Sequence, residues 1–85
     1  MSDNNISYLL ESALASITTI ASSIKQGQIL TPEETDKLQM LLQQSVRLRN
    51  TIIQYELLIG VPGKTIATRY GLTAARITQI KSLPL

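Results

Sequence analysis

The chain has 85 residues, 44% of them hydrophobic and 16% charged, with three tyrosines as its only aromatics and a net charge of +2. Such a composition is too apolar for a disordered chain and suits one small domain, for which oligomerisation is an expected aid because a core of this size supplies only a few kcal/mol. The absence of Cys and His removes disulfides, thiol and imidazole chemistry and the usual zinc sites, so no metal, cofactor or catalytic residue is expected and an enzyme is the weakest option.

The N-terminal MSDNNIS lacks a basic segment leading into an apolar run, so no signal peptide is read there. No run approaches the roughly 18–20 apolar residues of a membrane span. A soluble cytoplasmic protein with no membrane partner is expected. Ile6, Leu10, Ala13, Ile17, Ile20 and Ile24 then recur at spacings of four and three, which predicts a helix with one apolar stripe. Its other face carries Ser12, Ser16, Thr18, Thr19, Ser22 and Ser23, indifferent helix formers, so this helix depends on packing.

Gly27 reads as a helix stop. Thr31, Pro32 and Glu34 fit an N-cap, a first-turn proline and the N3 carboxylate of a capping box. A second helix follows over Pro32–Ile59, about 42 Å long, with its stripe at Leu38, Leu41, Ser45, Leu48, Ile52, Tyr55 and Ile59. The short connection predicts an antiparallel hairpin. Further apolar residues beside that stripe, Leu42, Val46, Ile53, Leu57 and Leu58, exceed what one partner helix needs. Two readings follow: they pack on the C-terminal segment, or they join two hairpins into a dimeric four-helix bundle. The dimer is favoured, with Ile6, Leu10, Ile17, Leu42, Val46 and Ile53 at its interface.

Gly60 and Pro62 end the second helix. The string GVPGKT, Gly60 to Thr65, has the ending of a phosphate-binding loop. That loop requires a first glycine at position 58, where Leu58 stands, and a preceding strand, where a helix is predicted. A tight corner between helices is the better reading.

Charge divides at the same place. Residues 1–56 hold Lys25, Lys37, Arg47 and Arg49 against Asp3, Glu11, Glu33, Glu34, Asp36 and Glu56, a balance of −2. Residues 57–85 hold Lys64, Arg69, Arg76 and Lys81 with no acid, a balance of +4. A basic end on a mildly acidic remainder points to a polyanion.

Within GKTIATRYGLTAARITQIKS, Gly63 to Ser82, the residues meet the demands of a helix-turn-helix. The first helix needs a small residue where backbones approach, and Ala67 supplies it. The turn needs positive φ, which Gly71 adopts at least cost. Ile66, Tyr70, Leu72, Ile77 and Ile80 fall at the inward positions, and Thr73 stands where the second helix needs an N-cap.

This segment resembles the helix-turn-helix of bacterial and phage transcription regulators. Its YGLTAARITQIKS part is especially similar to the end of region 4 of bacterial sigma factors, through the R-[IV]-x-Q-I core at Arg76–Ile80. The resemblance covers about a quarter of the chain and does not reach residues 1–51. It implies that the second helix enters the major groove, with Ala74, Ala75, Arg76, Thr78 and Gln79 at the bases and Lys64, Thr65, Arg69, Thr73 and Lys81 at phosphates. Gln79 suits an adenine edge, the alanines suit thymine methyls, and Arg76 suits a guanine or a phosphate. The small alanines depart from the long polar residues usual there.

The expected fold is therefore all-α: a coiled-coil-like hairpin over residues 1–59, with a dimerisation role, and a helix-turn-helix over 60–85, the two forming one compact domain that shares helix two. The expected function is a dimeric, sequence-specific DNA-binding transcriptional regulator with double-stranded DNA as partner. The alternative is a coiled-coil assembly or adaptor protein, bound to a polymerase or assembly component, whose helix-turn-helix is structural or docks DNA non-specifically. The same corner can be a plain packing unit, but that leaves Arg69, Arg76, Lys81, Thr78 and Gln79 outside the core with no acidic partner explained.

Overall fold

The computed structural model describes residues 4–84. The protein is all-α, with helices α1 (Asn4–Lys25), α2 (Pro32–Leu58), α3 (Gly63–Tyr70) and α4 (Ala74–Lys81). Among the described residues there is no strand, and no helix is long and apolar enough to cross a membrane.

Local chemistry sets each boundary. The Thr31 hydroxyl accepts from the Glu34 N–H at 3.1 Å while the Glu34 carboxylate accepts from the Thr31 N–H at 2.9 Å, the reciprocal capping box that starts α2. Helices α1, α2 and α3 stop alike, each at a glycine of positive φ: Gly27 at 102°, Gly60 at 99° and Gly71 at 66°. After each glycine the next N–H reaches back five residues, Gln28 to Ser23 O, Val61 to Glu56 O and Leu72 to Ala67 O. That pattern satisfies end carbonyls that would otherwise lack partners. Because Gly60 takes this role, α2 closes at Leu58, one residue short of the expected Ile59.

The chain divides into two compact units, one ending at Asp36 and the other starting at Lys37. This differs from the expected single compact domain with an internal boundary at 59/60. The physical reason lies late in α2, where Ile53 and Gln54 are buried and belong with the C-terminal helices.

In the first unit, α1 is a continuous helix whose Thr18 and Thr19 hydroxyls donate back to the Leu14 and Ala15 carbonyls. Its stripe lies open, with Ile6 63% and Ile17 50% exposed. Leu38, Leu41, Leu42, Val46 and Leu48 on α2 are exposed as well. The expected antiparallel pairing rested on these two stripes, and their positions remain accessible. The second unit holds the buried core: Ile53, Ile66, Ala67, Ile77 and Ile80, with Leu57, Val61, Tyr70 and Leu72 packed around them. Ile53 is 0% exposed, which corrects its expected place at a dimer interface. An isoleucine enclosed by its own chain has no surface left for a partner.

Candidate nucleic-acid interface

The corner between α3 and α4 is built as its sequence requires. Gly71 sits at φ 66°, ψ 33°, a left-handed conformation that costs a residue with Cβ about 1–2 kcal/mol. Leu72 turns inward after it, and Thr73 caps α4 from an extended backbone, its hydroxyl accepting the Arg76 N–H at 3.0 Å. Ile66 and Ala67 on α3 meet Ile77 and Ile80 on α4, all buried. Gly63 also lies close to α4, since a Cβ built there would stand 3.5 Å from Ile77 Cγ2.

One further device fixes α4, and the sequence reading missed it. Gln54 of α2 is 7% exposed, and its Nε2 donates to Ile80 O at 3.0 Å and Leu83 O at 2.8 Å. A side-chain amide thus gives Leu83 O a donor and adds a second donor to Ile80 O, which also accepts the Leu83 N–H at 3.1 Å. The available signal was a glutamine next to Ile53 in the apolar run IIQYELL, a polar group one step from a core position.

The buried pair on α4, Ile77 and Ile80, leaves the opposite face outward, since successive residues turn by about 100°. Ala75 lies at the centre of that face, with Thr78 and Gln79 beside it and Arg76 and Lys81 on opposite flanks. Ala74, Ala75, Thr78, Gln79 and Lys81 are exposed and Arg76 is half-buried. Arg76 Nη1 donates to Gln79 Oε1 at 3.1 Å, and Thr78 spends its hydroxyl hydrogen on Ala74 O at 3.2 Å. Across the corner, Lys64 lines the same shallow groove as Ala74 and Thr78. Lys64, Thr65 and Thr73 are exposed. Of the five residues expected at bases, Ala75, Thr78 and Gln79 lie on the outward face, with Ala74 and Arg76 at its two edges.

Arg69 requires a correction. It was expected to have no acidic partner, but its Nη1 lies 3.0 Å from Glu56 Oε2 on α2. The arginine is 51% exposed and the glutamate 24%, and the second carboxylate oxygen, Oε1, is buried without a hydrogen-bond partner. Arg69 is thus partly neutralised, whereas Lys64, Arg76 and Lys81 have no ion-pair partner among the described residues. The last acid of the sequence, Glu56, lies 13 residues before Arg69, too far for a helical spacing to reveal the pair.

Comparison with protein-family models, with curated proteins and with solved structures finds no match for this chain. The functional reading therefore stands on its residues and their geometry.

Proposed function

We propose that the chain is a small, sequence-specific DNA-binding transcriptional regulator that acts as a homodimer and reads the major groove with α4. One observation carries this reading: an exposed, acid-free side of α4, bearing Ala75, Thr78 and Gln79 between Arg76 and Lys81, joined to α3 by the turn at Gly71 and a shared core. Side chains at the start and middle of such a helix meet base edges, and cations on its flanks meet phosphates. Lys64, Thr65, Thr73 and Lys81 serve the backbone, with Arg69 contributing less because Glu56 shares it. The exposed apolar positions Ile6, Leu10 and Ile17 of the first unit and Leu42 and Val46 of the second are where two copies join. A two-fold dimer then places its half-sites about 34–36 Å apart.

Selection of bound sequences from a random duplex pool tests the reading, and the expected outcome is a palindromic site. With Lys64 and Lys81 at the backbone and Arg69 shared with Glu56, log affinity should fall with log salt at roughly 0.9 per phosphate contact, about two to three per subunit. Salt-independent association would sink the proposal. Charge reversal at Arg76 and Lys81 should abolish DNA binding and leave the oligomeric state intact.

The same open stripes favour a second reading, a cytoplasmic assembly or adaptor protein that uses them to hold another protein. In that case the charge reversal leaves partner capture unchanged.

A further inference from the structure

We infer that Arg76 and Gln79 act together as a donor-only reader of guanine, which rests on the DNA-binding reading and replaces the adenine expected for Gln79. The observation is the 3.1 Å bond from Arg76 Nη1 to Gln79 Oε1. A guanidinium has five N–H donors and no acceptor, so the atom of Gln79 facing it is the amide oxygen. The free end of the amide is then Nε2, which only donates.

The two residues stand three apart on α4, and a pair at that spacing lies on neighbouring sides of the helix. Thr73 fixes the start of the helix beneath them through the Arg76 N–H. Gln79 is exposed while Arg76 is half-buried, so the amide projects from a charge seated lower on the same side. Toward a duplex this edge offers the Nε2 hydrogens and the remaining N–H groups of Arg76.

Base chemistry then decides. Reading adenine in two places needs one acceptor for its N6 amino group and one donor for N7. Here the acceptor already takes a charge-assisted bond, and a second amino group brought to it would also meet the guanidinium's positive field. Guanine presents two acceptors, N7 and O6, to the major groove. Two acceptors facing two donors leave no group unpaired. Neighbouring Ala75 and Thr78 are too short to compete for the same base edge, and the Thr78 hydrogen is already given to Ala74 O.

The test is selection from a random duplex pool with the full chain and two variants, followed by binding of a selected duplex carrying 7-deazaguanine. The wild type should enrich guanine at one position per half-site, preferred about tenfold or more over other bases. Gln79→Ala should lose the preference at that position and keep the rest of the site. Arg76→Met frees the amide oxygen and should move the same position from guanine to adenine. Replacing guanine by 7-deazaguanine there should weaken the wild type several-fold and leave Gln79→Ala unchanged. Adenine at the Gln79-dependent position of the wild type, or guanine retained in Arg76→Met, overturns the inference while the regulator reading stands. A pool that yields no enriched sequence overturns both.

Discussion

Ile66 and Ile17 carry the same side chain on helices of one chain, yet Ile66 is 0% exposed and Ile17 is 50% exposed. The second unit closes around its isoleucines because the two short helices α3 and α4 follow the end of α2 through close turns. Gly60 and Gly71 reverse the chain within a few residues, so α3, α4 and the end of α2 present apolar faces to a common centre. The first unit has a comparable supply of isoleucine on a single straight helix of 22 residues, and a helix cannot bury its own stripe. Apolar content and periodicity are thus alike in the two regions. What separates them is the number of turns: the first unit has the stop at Gly27, the second has Gly60 and Gly71 close together.

Truncation in each region should give the largest contrast. Ile66→Ala or Ile80→Ala should lower stability by about 2–5 kcal/mol, seen as a lower urea midpoint of the full chain. Ile17→Ala should cost under about 1 kcal/mol in the monomer, where half its area is already in water, and more in the proposed dimer. A large loss there, dependent on protein concentration, would place α1 inside a dimer, and sedimentation would show it.

The corner itself gives the next effect. Space is not the obstacle at Gly71, where a Cβ meets nothing within 4 Å; the conformation is. Gly71→Val should cost about 1–3 kcal/mol through backbone strain, and Gly71→Asn clearly less. Equal melting temperatures for valine and glycine would refute the turn assignment. A comparable loss, about 1–3 kcal/mol, is expected for Gln54→Leu, which takes the Gln54 donor from Leu83 O and leaves Ile80 O with the Leu83 N–H alone. If hydrogen exchange of the last turn of α4 does not accelerate in that variant, the amide is not what holds it.

The smallest effect belongs to the surface pair. With Arg69 half in water, Glu56→Gln should change stability by less than about 1 kcal/mol. It should nevertheless release Arg69, so that the salt slope of DNA binding steepens by up to about one contact. A slope that becomes shallower would mean that Glu56 positions Arg69 for its phosphate.

The parts of the molecule legible in advance are those whose chemistry acts over a few residues. Thr31 with Glu34, and Thr73 with the Arg76 N–H, are caps spanning three positions. The glycine stops span one turn. Ala67, Gly71 and the inward isoleucines could be placed because a bent helix pair constrains its own spacing. Three features escaped. Ile53 was grouped with exposed neighbours such as Val46 because periodicity gives a side of a helix, not what covers it. The pairing of Arg69 is invisible in the sequence because Glu56 lies on another helix. Gln54 was passed over because its acceptors are 26 and 29 residues away.

The residues alone set four helices, the capping box that opens α2 and the glycine stops, since capping and turn chemistry are settled between near neighbours. They also set the basic, acid-free character of the last 29 residues. Only the tertiary structure decided which isoleucines become core, which amide secures the end of α4 and which arginine loses its freedom. Those outcomes depend on groups brought together by the turns at Gly60 and Gly71, and distance along the chain carries no record of that approach.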